Sequence, residues 1–244
     1  MFRIDTLAYS NALRKIPALE KLFFALLSII VAIAAKNYVV SAIIILVNMV
    51  LTLYKAKIPS RIYFRLIILP LGFLFAGIIP IVINLDGWKP VFDYTRLHLA
   101  GGIVASSLAA LSAMYFLALT TPFFELAGAF TKLRMPKVFV ELVLLIYRFI
   151  FILMETAVQM TTSQRARLGY VSLKSSYRST ALLFVNLFSS AYHRANEVFT
   201  AMVARNYLGE IKLLNNEQKI SPLRIGSLLI YFFVLTTVAV LGGK

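Results

Sequence analysis

Two stretches of the sequence, SQRARLGY at 163–170 and VFTAMVARNYLG at 198–209, set an alanine and an arginine at the end of an apolar run, with a glycine shortly after. Ala166 with Arg167 form the first pair and Ala204 with Arg205 the second. Two chemistries suit the pattern. A cation in the last turn of a helix complements the helix dipole for about 0.3–1 kcal/mol, and a glycine beyond it closes the helix. Alternatively, the small alanine keeps the helix tip slim enough to enter a groove with the guanidinium leading, and arginine suits a planar, bidentate grip on a carboxylate.

Other chemistry is missing. There is no cysteine, hence no disulfide, thiolate metal site or cysteine nucleophile. The aspartates are Asp5, Asp86 and Asp93 alone, too scattered for a catalytic pair or a magnesium cluster, and no GxxxxGK[ST] phosphate loop occurs. His98 lacks a His, Asp or Glu at ligand spacing, His193 has Glu197 alone four residues on, too few groups for a metal site, and the topology below puts the two histidines on opposite sides of a membrane. The expectation is a chain with no catalytic residue, no cofactor site and no metal site of its own.

The elements that hold the two arginines belong to a membrane protein. Of the 244 residues, 60% are hydrophobic and 14% charged, with a mean hydropathy of +0.84, whereas soluble domains devote about a quarter of their residues to charge. Twenty-five Lys and Arg against ten Asp and Glu give +15. That excess fits cytoplasmic loops, a docking surface for an acidic partner, or attraction to anionic lipid. Nucleic acid is not expected, because the basic residues sit between hydrophobic spans. The N-terminus is polar for some twenty residues before any apolar run, unlike a cleaved signal peptide, so the first span is expected to be retained.

Five apolar runs are candidate spans of a bilayer core: Leu22 to Ala35, which is short, Tyr38 to Tyr54, Leu66 to Leu85, Leu97 to Thr120 and Ile225 to Leu241, with Lys36 and Asn37 at the tip of a tight hairpin. None of these spans carries a charge, which argues against a proton-coupled carrier. A cytoplasmic N-terminus leaves Lys36, Lys89, Arg96 and Lys244 outside and 21 basic residues inside. Pro70, Gly72, Gly77 and Pro80 predict a kinked, packed third span. In the fourth, Gly102, Ser106 and Ala110 fall four apart with Ala105, Ala109 and Ala113 beside them, a surface for close helix approach whose neighbour lies in this chain or in a partner.

Residues 121–224 differ, because charges recur inside the apolar runs; this segment is expected on or under the membrane. From Pro136 a helix of roughly 30 residues is predicted to reach Arg167, with Glu141, Arg148, Glu155, Gln159 and Thr162 on one stripe. A second is predicted from a cap at Ser175 or Ser176 to Arg205. Its polar line is Asn186, Ser190, His193, Glu197 and Thr200, and its apolar side Leu183, Leu187, Ala191, Ala195, Val198 and Met202. The reading is therefore an all-α integral membrane protein of about five transmembrane helices: residues 1–120 with four of them, 121–224 as a cytoplasmic or interfacial coupling domain of long amphipathic helices, and 225–244 with the last.

The opening IDTLAYSNALRKIPALEK, the connector FELAGAFTKLRMPKVFVELVLLIYRFIFIL and the paired arginine motifs resemble the transmembrane T subunits of energy-coupling factor transporters, most closely the CbiQ type of cobalt uptake systems, over nearly the whole chain. In that family each of two cytoplasmic coupling helices ends in an Ala-Arg-Gly type motif that docks into a groove on one of two ATPase subunits. The resemblance implies that role for Ala166, Arg167, Ala204 and Arg205. The third position departs, being Leu168 and Asn206, with Gly169 and Gly209 following later. It also implies two ATP-binding cassette ATPases that bind ATP, a substrate-binding membrane subunit of the CbiM type that holds the cobalt ion, and a small accessory membrane subunit. The place implied is the inner or cell membrane of a bacterium or archaeon. Rival readings are a T subunit for nickel or a vitamin and, in another class, a membrane-bound enzyme or scaffold unrelated to ATPases.

Overall fold

The computed structural model describes residues 3–35, 37–86, 89–92, 94–207, 209 and 222–241, with side chains described at all of these except 3, 4, 83–86, 89–92, 94, 95 and 241. Lys36, Asp93 and Lys244 of the sequence reading therefore lie outside the described residues. The chain forms two compact units, Met1–Ala129 with Asn215–Lys244, and Phe130–Leu214.

The first unit opens with α1 (Arg3–Ser10) and a 3₁₀ turn (Ala12–Lys15). Helices α2 (Ala18–Ala35) and α3 (Tyr38–Val50) follow, the latter running on through a π-helical turn (Leu51–Lys55). Asn37 starts α3 by accepting the Val39 amide at 2.9 Å. After α4 (Ser60–Val82) come the short strands β1 (Ile83–Asp86) and β2 (Lys89–Phe92), then α5 (Tyr94–Thr120), α6 (Phe123–Lys132) and, after the second unit, α9 (Pro222–Leu241). Five of these helices, α2, α3 with its π turn, α4, α5 and α9, are long and apolar enough to cross a bilayer. The protein is an all-α, multi-pass membrane protein with one small hairpin.

Several helix boundaries differ from expectation, α5 and α9 each starting three residues early, at Tyr94 and Pro222. Helix α4 begins at Ser60, six residues early, so that Arg61 and Arg65 ride its first turns, and it stops at Val82 because residues 83–86 pair antiparallel with 89–92. Helix α2 begins at Ala18 and takes Glu20 and Lys21 into its first turn. The span is thus not free of charge at its end, and both side chains are buried. Glu20 Oε2 lies 3.6 Å from Arg224 Nε, and Lys21 Nζ donates to the Thr120 carbonyl at 2.8 Å.

Helix α5 lies at the centre and packs on α1, α2, α3 and α4. For part of its small-residue surface the neighbour is inside the chain. Ala109 is fully buried in a cluster with Ala32 of α2, Val40 and Ile44 of α3 and Leu235 of α9. At the other end of α5, Tyr38 donates to the His98 carbonyl, and a Cβ at Gly101 would meet the Tyr38 hydroxyl at 2.7 Å. A second cluster joins Leu13, Phe24, Tyr63, Phe116 and Leu119, with the rings of Phe24 and Phe116 edge to face at 5.3 Å. Helix α4, with Pro70 and Pro80 inside it, is exposed along most of its length, and its Gly72 and Gly77 face open space. The packed neighbour predicted for this span does not lie on those glycines.

The second unit is built from α7 (Lys137–Ala166) and α8 (Leu173–Ala204). Pro136 precedes α7 because its fixed φ and missing N–H suit a helix start. The cap of α8 lies three residues before the predicted position. Ser172 accepts the Ser175 amide while the Ser175 hydroxyl takes the Ser172 amide, a capping box closed by serine instead of glutamate.

Candidate functional site

Both long helices end in the same way. Ala166 and Ala204 are the last helical residues, Arg167 and Arg205 occupy the cap with φ, ψ of −92°, 18° and −97°, 22°, and the next residue turns left-handed, with φ of 59° at both Leu168 and Asn206. The Leu168 amide donates to the Arg165 carbonyl and the Gly169 amide to Gln164; in register with them, Asn206 donates to Val203 and Tyr207 to Met202. Each is a Schellman ending, in which two backbone amides meet the helix's last free carbonyls. The departures from glycine thus leave the turn intact. Asparagine tolerates that φ, whereas leucine adopts it against its Cβ, and the Leu168 side chain is 72% exposed.

Because backbone amides complete both ends, the arginines are not needed to cap them. Arg165, Arg167 and Arg205 are exposed, and among the described residues neither Arg167 nor Arg205 makes an ion pair or a side-chain hydrogen bond.

Bonds at each tip fix where the arginines stand. At the first, Gln164 Nε2 donates to the Ser179 carbonyl at 3.0 Å, Tyr170 Oη to Gln164 Oε1 at 2.7 Å, and Ser179 Oγ to the Gly169 carbonyl at 2.7 Å. At the second, Tyr207 Oη donates to Glu141 Oε2 at 2.7 Å. That bond, then desolvation and the nearby carboxylate charge, hold the Tyr207 hydroxyl above its ordinary pKa. The start of α8 thus meets the end of α7, and the end of α8 meets the start of α7. The two helices form an antiparallel hairpin whose arginines sit at opposite ends, about 45 Å apart for a helix of this length.

Gln164, Tyr170, Ser179 and Tyr207 were not singled out from the sequence; Glu141 was, as one of a polar stripe. The signal that could have found the first three is the glycine after Arg167. Gly169 is there for space: a Cβ would lie 2.6 Å from Ser179 Oγ and 2.9 Å from the Gln164 carbonyl. The hydroxyl can swing away, but the carbonyl belongs to the helix ending. Gly169→Ala should therefore cost about 1–3 kcal/mol, the usual price of overpacking. It should appear as a lower thermal midpoint of the detergent-solubilised chain, and an unchanged midpoint would contradict the crowding. Gly209 differs, with φ of 83° and open space around it.

Leu183, Leu187, Ala191, Val198 and Met202 of α8 are half-buried as the apolar line predicts, although Ala195 is exposed. The helix has a further apolar face. Tyr177, Phe184, Phe188, Tyr192, Phe199 and Val203, spaced by seven or four, are all exposed, and no residue of α8 is fully buried. His98 packs edge-on to Tyr38 at 5.1 Å and His193 stands exposed beside Tyr192. Among the described residues no group of three His, Asp or Glu gathers.

The described chain is thus a helical membrane protein with two exposed arginines at matching helix ends. Residues 9–216 match the model of the CbiQ family, described as cobalt transport protein. A cobalt transport protein CbiQ of Rhodobacter capsulatus is 32% identical over 93% of this chain and 93% of its own length. An uncharacterised protein of Methanocaldococcus jannaschii is 37% identical over 86% of this chain and 82% of its own. A protein of Methanocorpusculum labreanum, named as a fused cobalt transport protein CbiMQ, is 30% identical over 95% of this chain and 40% of its own length. The chain belongs to the CbiQ cobalt transport protein family.

Proposed function

We propose that this chain is the transmembrane coupling subunit of an energy-coupling factor type ABC importer for cobalt ion. It passes ATP-driven motion of two ATPase subunits to a substrate-binding membrane subunit of the CbiM type. The observation that carries the reading is the repeated tip: two helices end in Ala166–Arg167 and Ala204–Arg205 with the same turn, the same exposure and no partner among the described residues. Two equal docking elements, a helix-length apart, suit two equal ATPases. Residues 121–224 act as the cytoplasmic coupling domain, and the N-terminus is cytoplasmic, in keeping with the bias of Lys and Arg.

The exposed aromatic face of α8 supports a membrane partner as well, since an apolar surface of that extent is normally covered. The fused relative, whose name joins M to Q, favours a CbiM type subunit in that place. ATP is bound by the ATPases and the cobalt ion by the substrate subunit, so this chain needs no cofactor of its own.

Extraction in mild detergent tests the reading. The tagged full chain should bring down a nucleotide-binding ATPase and a second membrane subunit, and the assembly should hydrolyse ATP and take up cobalt when reconstituted. A chain that purifies alone from cells expressing its neighbours, or that shows catalytic activity by itself, would overturn it.

A further inference from the structure

Among the described residues the two arginine tips are braced unequally. Three bonds, from Gln164, Tyr170 and Ser179, hold the turn after Arg167. At the turn after Arg205 the described brace is the single bond from Tyr207 to Glu141. Tyr207 follows Arg205 by two residues and supplies the amide that closes α8 on Met202, so its backbone belongs to the ending and its hydroxyl to α7. A hydroxyl donating to a carboxylate is a charge-assisted bond, stronger and better directed than one between neutral groups.

We propose that Tyr207 is the positioning residue of the second docking tip: by tying the closing turn of α8 to Glu141, it sets the direction in which Arg205 leaves the helix. It touches no partner itself and acts through Arg205. The inference rests on the docking reading of the arginines. An arginine grips a carboxylate well only in a narrow planar geometry, so loosening its root weakens the grip without removing the charge.

The test uses the full chain in lipid nanodiscs, titrated with the purified ATPase subunits of its own transporter. Tyr207→Phe removes one oxygen and keeps the ring. It should weaken ATPase binding about three- to tenfold, the worth of one hydrogen bond, with helix content unchanged. Glu141→Leu should weaken binding at least as much, and Glu141→Gln, which keeps an acceptor, should lie between Glu141→Leu and wild type.

Two further backgrounds separate positioning from general loosening. With Arg205→Ala already present, Tyr207→Phe should add nothing; with Arg167→Ala, at the far end of the hairpin, it should cost its full factor. An equal cost on both backgrounds would overturn the inference, as would normal binding by Tyr207→Phe in an assay where Arg205→Ala binds weakly. If Arg205→Ala itself binds normally, the docking reading fails and takes this inference with it.

Discussion

The double variant Arg167→Glu, Arg205→Glu should lose its ATPase subunits, and with them cobalt uptake, while the chain still reaches the membrane in normal amounts. Each arginine is predicted to meet a carboxylate in a desolvated groove, where removing one partner of a buried charge pair costs about 2–5 kcal/mol. That is roughly a 30-fold to several-thousand-fold loss in affinity for each tip replaced by alanine. Glutamate adds like-charge repulsion, and two damaged tips remove both points of attachment. If the arginines only complemented helix dipoles, each change would cost about 0.3–1 kcal/mol of local stability and leave assembly alone. The Schellman endings sharpen the choice, because two carbonyls in the last turn of each helix, those of 164 and 165 and of 202 and 203, are already met by the amides of 168, 169, 206 and 207. Arg165 provides the control: it is exposed in the last turn of α7 but points two residues back around the helix. Arg165→Ala should bind ATPase much more nearly like wild type. Normal co-purification and uptake in the double glutamate variant would return both arginines to the role of dipole partners.

Periodicity made α7 and α8 legible in the sequence, nearly to the residue. Proline at 136 marks a start, the polar residues recur at seven or at four and three, and an arginine followed by a turn residue marks each end. The α8 start was misplaced because a capping box is normally recognised by Glu or Gln three residues after the cap, and here Ser175 takes that place. The strand at 83–86 was hidden because Ile83 and Leu85 prolong the apolar run of the third span, and its partner at 89–92, Lys-Pro-Val-Phe, is too short and too mixed to read as a strand. The braces behind the arginines were hidden for another reason. Gln164 with Ser179, and Glu141 with Tyr207, are 15 and 66 residues apart, and such pairs exist only once α7 and α8 fold back on each other.

Lys21 shows most clearly what charge counting misses. In the sequence it is one of four basic residues before the first span, a topology marker assumed to sit in water. In the fold it is 3% exposed, in the first turn of α2, with Nζ 2.8 Å from the Thr120 carbonyl. Asn11 Nδ2 shares that oxygen at 3.1 Å and also donates to the Ala8 carbonyl at 2.6 Å. Together the two side chains meet the free carbonyl end of α5, where the helix dipole is negative and a cation is welcome. Glu125, in the first turn of α6, adds a carboxylate that Arg14 holds at 3.5 Å. Lys21→Met keeps the bulk and loses the charged donor. It should cost about 1.5–3 kcal/mol, the range for hydrogen bonds to charged groups. Lys21→Glu should be far worse, since it buries an unpaired carboxylate against carbonyl oxygens and beside Glu125. Breaking a buried ion pair already costs about 3–5 kcal/mol, and a domain's whole stability is about 5–15 kcal/mol. The expected outcome, read by fluorescence-detected size exclusion after heating, is a lowered midpoint for Lys21→Met and little or no monodisperse protein for Lys21→Glu. Lys21→Arg, which keeps a cation but must fit a larger head into a buried site, should fall between Lys21→Met and wild type. A Lys21→Glu chain as abundant and as heat-resistant as wild type would mean that the end of α5 is not held by this lysine.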